Sequence, residues 1–351
     1  MMDLGEMPGW IVVTILTLLA LAAIPLNTFC IFVIIKTQSL RENTSIVFVT
    51  SLLIAHLLQA TLTIPFYMAK RLTPRLSYTY HHVCDGFRFT YILTFYMTCL
   101  SMLAISIDRL LVTVKNYEYH RVVTPFRAMV ISVGLFLYVG VWSAIPFAPF
   151  QTLNLTNVTV EVQKYESCKY THTDIWTLIM LTAHALLPYI VSIVCHVFIM
   201  RNIRKRLMHA GTDITPKHGD DEPSVVNAVE SHVAMATLKI ALTYGFLWGP
   251  SIIYYSLIAV CKDQCFPEGY FKSDTEQYMG FLVKLFIFAD CVAAPLIYCI
   301  NHRDFKKSAK TMLLPAYGAI KTNSRSNSLL SVFKLQKLHI EAETKQNAIA
   351  D

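Results

Sequence analysis

Apolar residues along this chain gather into seven long runs, at roughly residues 10–35, 45–69, 82–114, 128–150, 174–200, 232–260 and 277–300. Each is long enough to cross the hydrocarbon core of a bilayer as a helix, a task that takes about 20 residues, some with tilt or an extra turn into water. Charged side chains are bunched between the runs. Prolines fall inside several of them: Pro25, Pro65, Pro146, Pro188, Pro250 and Pro295. Such residues would break soluble helices. In a membrane bundle the neighbouring helices re-satisfy the freed backbone groups, and the prolines act as kinks. The pattern implies an all-α membrane protein, a seven-transmembrane-helix bundle. No internal repeat is visible, which weighs against transporters built from paired halves.

After the last run comes Asn301-His302-Arg303-Asp304-Phe305-Lys306-Lys307, then Met312-Leu313-Leu314 and Pro315. This spacing predicts a short amphipathic eighth helix over 301–315, with its cations toward lipid headgroups and Phe305 and the leucines dipping in. Residues 316–351, rich in serine, lysine and glutamate, read as a disordered cytoplasmic tail whose serines are candidate phosphorylation sites. Residues 1–9 form a short extracellular N-terminus, and 10–300 the membrane domain. The first run has no basic stretch before it and is long enough to span, so it reads as a retained helix.

Composition sharpens the class. Apolar residues make up 54% of the chain and charged ones 15%, against about 25% in soluble domains. The net charge of +7 does not point to nucleic acid, because no basic face interleaved with aromatics accompanies it. Basic loops on one side of a membrane explain it better. With the N-terminus outside, the outer loops hold seven Lys and Arg residues and the inner segments twenty. The positive-inside rule therefore places the C-terminus in the cytoplasm of a multi-pass plasma-membrane protein. Two sequons, at Asn154 and Asn157, then fall in an outer loop as candidate glycosylation sites, while Asn43 falls inside and should stay bare.

Of nine cysteines, Cys30, Cys99, Cys195, Cys291 and Cys299 lie within apolar runs, as buried thiols do. Cys84, Cys168, Cys261 and Cys265 lie at helix ends or in loops and are open to oxidation. Cys261 and Cys265 are candidates for a small disulfide, with a metal pair as the alternative. No nucleophile–base constellation, metal-ligand spacing or phosphate loop appears, so the expectation is a protein that is not an enzyme and needs no metal or cofactor.

Several short motifs, in order and in register over residues 10–314, carry a resemblance. The third run ends Ile107-Asp108-Arg109-Leu110, and Cys84 lies 25 residues before Arg109. The sixth holds Tyr244-Gly245-Phe246-Leu247-Trp248-Gly249-Pro250, and the seventh Ala293-Ala294-Pro295-Leu296-Ile297-Tyr298, with Phe305 seven residues on. Asn27, Trp142 and Pro188 match single landmarks. Together these resemble the rhodopsin-like G-protein-coupled receptors, whose motifs read Asp-Arg-Tyr, Phe-x-x-Cys-Trp-x-Pro and Asn-Pro-x-x-Tyr. The resemblance implies a receptor that senses an extracellular ligand and signals to a heterotrimeric G protein, with arrestin and receptor kinases as further partners at the tail. It implies a Cys84–Cys168 disulfide, a switch built on Asp108, Arg109, Trp248, Pro250, Pro295 and Tyr298, and an inactive-state latch between Arg109 and Glu230. Such a partly wet ion pair is worth about 1 kcal/mol.

The departures also carry information. Leu110 replaces the motif tyrosine, Ala294 the asparagine, and His56 the buried aspartate usual in the second helix, so the sodium pocket of the family is expected to be altered. Asp290 lies one turn before Ala294 on nearly the same face, and a buried His56–Asp290 pair is the expectation. His196 stands where a tyrosine is usual. Tyr91 occupies the position of the amine-binding aspartate, and Phe288 that of the retinal-bearing lysine, so neither a biogenic amine nor retinal is the expected ligand. Arg88, Tyr91, Phe95, Trp248, Tyr255, Lys284 and Phe288 form the candidate ligand pocket, with Lys70 and Arg71 at its rim. Tyr254, Tyr278 and Phe281 are further aromatics that could line the same cavity. Lys284 and Arg88 lie where lipid-acid and nucleotide receptors place cations, so an anionic small molecule, lipid or peptide is one candidate. The alternative for both cations is snorkelling to headgroups or pairing with loop acids. Two rival functions stay open: a non-signalling scavenger or scaffold receptor, and a transporter or channel.

Overall fold

The computed structural model describes residues 8–72, 78–114, 119–147, 152–155, 158–161, 175–212, 222–270, 273–302 and 304–312. Seven of its helices are long and apolar enough to cross a membrane. They are α1 (Gly9–Lys36), α2 (Thr44–Leu72), α3 (Tyr78–Val114), α4 (Pro125–Ala144), α5 (Ile175–Leu181 continuing through Thr182–Leu186 into Leu187–Thr212), α6 (Glu222–Cys265) and α7 (Asp274–Asn301). Residues 304–312, where the eighth helix was expected, are also helical. Contacts divide the chain after His302, so Met1–His302 is one unit and Arg303–Asp351 another.

The prolines explain the local geometry. Pro65 and Pro188 each follow a π-helical turn, Gln59–Thr63 in α2 and Thr182–Leu186 in α5, which absorbs the lost backbone donor and the ring's crowding of the preceding turn. Pro25, Pro250 and Pro295 lie inside continuous helices. The fourth apolar run reached residue 150, yet α4 stops at Ala144 and gives way to a 3-10 turn, Ile145–Phe147. Pro146 lies at that boundary, where its missing N–H cannot continue the i→i−4 ladder, and Ile145 before it keeps helical dihedrals. At their N-termini, α2 is capped by the Asn43 side chain, which accepts from Ser45 N at 3.0 Å, and α4 by Thr124, with Pro125 in the first turn. Asn43, the sequon expected to stay bare, thus has a structural task. Between α4 and α5 the chain forms a short antiparallel hairpin, Thr152–Leu155 with Val158–Glu161, in register Leu155↔Val158. The apolar count did not reveal this hairpin, because a four-residue strand lies below its window.

Packing follows the logic of a lipid solvent. Large apolar side chains on α4 face away from the protein, Leu137 at 67% and Val141 at 65% exposure, because lipid solvates them as well as a core would. Inward faces use small and polar residues. Ala23, Ala60 and Cys291 bring α1, α2 and α7 together, and Asn27 Nδ2 donates to both Ala23 O and Cys291 O at 2.8 Å. Ser51 meets Ser101 at 3.3 Å and Thr63 meets Thr94 at 3.2 Å between α2 and α3. His184, carried on the π-turn of α5, faces Met180 O through Nδ1 and the Tyr138 hydroxyl through Nε2, with Trp142 and Tyr96 rings packed around it. The carbonyl needs a donor, so Nδ1 carries the proton and Nε2 accepts from Tyr138. Trp142, a single landmark in the sequence, is thereby part of the α4–α5 contact.

Candidate functional site

Three groups of residues lie along the axis of the bundle. The first is at the end where the chain enters. Tyr67 of α2 is a node: its ring lies 5.0 Å from Phe87 and 5.9 Å from Phe288, and its hydroxyl accepts from Arg71 at 3.0 Å. Three cations ring the Tyr67–Phe87 pair. Arg71 lies 5.4 Å and Lys284 6.0 Å from the Tyr67 ring, and Lys70 lies 5.2 Å from Phe87. Lys284 also lies 5.8 Å from the Tyr255 ring and donates to Gly280 O at 3.0 Å. Arg88 is buried and pairs with Asp85 of its own helix at 3.7 Å, rather than with a loop acid. Lys70 and Arg71 therefore belong to the aromatic wall as well as to the rim. Tyr67 itself was not singled out by sequence reading, since its ring partners come from two other helices, α3 and α7, and no spacing along α2 reveals them.

Deeper, Tyr91 continues the wall. Its hydroxyl is 3.5 Å from that of Tyr255, and its ring lies 5.7 Å from Phe95 and 6.5 Å from Phe288. Phe95 in turn packs 4.8 Å from Trp248. The structure therefore brings Tyr91, Phe95, Trp248, Tyr255, Lys284 and Phe288 together. Tyr254, in contrast, packs with Ile258, Tyr270 and Val283 between α6 and α7.

The second group lies at mid-depth. The indole N–H of Trp248 donates to Asp290 Oδ2 at 2.9 Å, and His56 Nε2 is 3.3 Å from the same oxygen. The His56–Asp290 juxtaposition expected from the sequence is present, and Ala294 is buried one turn along. The Trp248 bond was not foreseen. Pro250 stands two residues beyond Trp248 within α6, and Pro295 is next to Ala294 in α7.

The third group is at the other end. Asp108 accepts from Ser45 Oγ at 2.5 Å and from the Tyr119 hydroxyl, and lies 3.8 Å from Arg109 Nε. Burial, reinforced by the Asp108 carboxylate, holds the Tyr119 phenol well above its usual range, so it remains a donor. Tyr119 lies in the short helix Tyr119–Val122 between α3 and α4, and its part is visible only once that segment folds back. His196 Nε2 is 3.2 Å from Ser106 Oγ, joining α5 to α3. Tyr298 is buried, its ring 5.1 Å from His302.

Cys261 and Cys265 are joined, with Cα atoms 5.4 Å apart, so the disulfide alternative holds over the metal pair. The backbone at Cys261 leaves helical geometry, and Gly269, at φ 79°, makes the turn toward α7 that other side chains rarely adopt. Cys84 is buried and disulfide-bonded, whereas Cys168 lies outside the described residues. So does Asn157, while Asn154 is in the first strand of the hairpin. Glu230 is within α6, but its side chain, and with it the latch to Arg109, lies outside what is described.

A family profile for the 7 transmembrane receptor (rhodopsin family) covers residues 26–298. Melanopsin of Felis catus is 23% identical over 315 residues, covering 88% of this chain and 61% of its own length. Melanopsin of Homo sapiens is 23% identical, covering 90% of this chain and 64% of its own length. The G-protein coupled receptor 54 of Oreochromis niloticus is 21% identical over 317 residues, covering 86% and 77%. This chain thus spans less than two thirds of the melanopsins it matches. With the profile covering most of its length, the chain belongs to the rhodopsin family of seven-transmembrane receptors.

Proposed function

We propose that this receptor takes an extracellular ligand between α2, α3, α6 and α7 and passes its presence to a heterotrimeric G protein at the plasma membrane. The observation that carries the reading is a continuous chain of contacts. It runs from Tyr67 through Phe288, Tyr91 and Phe95 to Trp248, two residues before Pro250 in α6. A ligand that moves Phe95 moves Trp248, and a shift of α6 would expose Arg109, held by Asp108, to the G protein. In this orientation the N-terminus is outside, Asn154 and Asn157 are glycosylated, and Cys84 pairs with Cys168 to narrow the pocket mouth. The positive-inside bias supports that orientation.

The ligand is not an amine held by a carboxylate, because Tyr91 stands in that place. Lys70, Arg71 and Lys284 around the Tyr67–Phe87 pair favour a ligand with an anionic group, which charge-assisted hydrogen bonds would hold in a low-dielectric pocket. The similarity to melanopsins does not extend to a retinal linkage: the wholly buried Phe288 occupies the lysine position. A non-signalling scavenger is the second reading, favoured by Leu110 and Ala294 at two switch positions. Dissociation of a panel of G proteins, measured with and without Arg109→Ala, separates the two. Dissociation that the substitution abolishes supports signalling, and none from any G protein with a bound ligand would sink it.

A further inference from the structure

Asp290 is 2% exposed in the middle of α7, and its two oxygens have different surroundings. Oδ2 accepts the Trp248 indole N–H and faces His56 Nε2 at 3.3 Å, an ion-pair separation without hydrogen-bond alignment. Oδ1 and both imidazole nitrogens have no hydrogen-bond partner among the described residues. An ionised carboxylate in this position is strongly disfavoured unless a positive charge accompanies it. Cys99 on α3, Tyr244 on α6 and Cys291 on α7 itself are near enough to interact electrostatically with Asp290, and Trp248 touches it directly. None of the four brings a positive charge. Among the described residues His56 is the group that can. Ala294, one turn along, has no polar side chain with which to take over either contact.

We propose that His56 and Asp290 form a buried charge pair that restrains Trp248 in the resting receptor. The carboxylate holds the indole through one oxygen, and the imidazolium holds the carboxylate through the same oxygen. The second, seventh and sixth helices are thereby joined at the residue on which the pocket acts. His56 is a positioning residue that never needs to touch the ligand: it keeps Asp290 ionised and aimed, so that the indole leaves only by giving up a charge-assisted bond. Phe95, 4.8 Å from Trp248, is the element through which an occupied pocket would pull that bond apart. The geometry stands without the receptor reading, and only its purpose rests on it.

The test therefore uses purified full-length receptor with neither ligand nor G protein. His56→Leu, which leaves the carboxylate uncompensated, is expected to lower the melting temperature. Adding Asp290→Asn is expected to restore most of the loss, because an amide oxygen still accepts from Trp248 and needs no counter-charge. If His56→Leu does not accumulate, His56→Gln is paired with Asp290→Asn in the same cycle. Among the indole resonances of the four tryptophans, Asp290→Asn should displace that of Trp248, assigned with Trp248→Phe. Hydrogen exchange should rise in the part of α6 before Trp248 and not in α1. A double variant whose loss equals the sum of the singles, an unmoved Trp248 resonance, or exchange raised evenly through all seven helices would each overturn the proposal, even if the receptor were later shown to signal.

Discussion

Asn27 illustrates how much depends on single buried groups. Its amide bridges a carbonyl of its own helix and one of α7, both at 2.8 Å, in a place where water does not compete. Asn27→Leu removes both bonds and leaves the Cys291 carbonyl short of a donor, at a cost of about 1–3 kcal/mol. A thermal-shift assay on the purified receptor should show that drop. Tyr119 makes a prediction with a sign. Its phenol is held protonated against Asp108, so its folded-state affinity for the proton exceeds that of the unfolded chain. The stabilisation it gives is complete below the ordinary phenol range of about 10 and fades as pH rises above it. Alkaline unfolding scans of wild type and Tyr119→Phe should therefore differ most near neutral pH and converge as the phenol ionises. Parallel curves would contradict the assignment.

At the scale of elements, much is legible in the sequence. The seven spans follow from apolar runs because lipid, unlike water, rewards apolar side chains on every face. Prolines and caps then fix the ends, as Pro146 does for α4. The His56–Asp290 pair was also legible, since the i to i+4 step from Asp290 to Ala294 places both on one face. What spacing does not encode is contact between separate helices. The Tyr67 node, the Trp248–Asp290 bond, the Tyr119–Asp108 bond and the caged His184 join residues from 11 to 221 positions apart, on separate elements. The hairpin between α4 and α5 escaped for a different reason, its strands being too short to leave a periodic signal. The Cys261–Cys265 bond closes a loop of only a few residues, for which chain entropy gives at most about 2 kcal/mol. Replacing both cysteines by alanine should lower the melting temperature by a few degrees and leave the helical circular-dichroism signal intact. Loss of the fold would mean the loop orders α6 and α7.

For the molecule as a whole, the proposed function requires two distant chemistries to be joined through one bundle. The pocket end collects cations and aromatic rings, and the opposite end holds an arginine beside a buried aspartate that Ser45 and Tyr119 fix in place. Charge reversal of Lys284 to glutamate should abolish the response to an anionic ligand while leaving basal G-protein release unchanged, as measured by dose–response curves in cells. An unchanged potency would remove the anion from the account. Arg109→Ala should do the reverse, preserving ligand binding and losing release.

Both ends matter only if they open into different compartments. Epitope tags placed before Gly9 and after residue 312 test this on living cells. An antibody should reach the first tag on intact cells and the second only after permeabilisation. Both tags accessible from the same side would contradict an odd number of crossings, and with it the passage of any message from the Tyr67 pocket to Arg109.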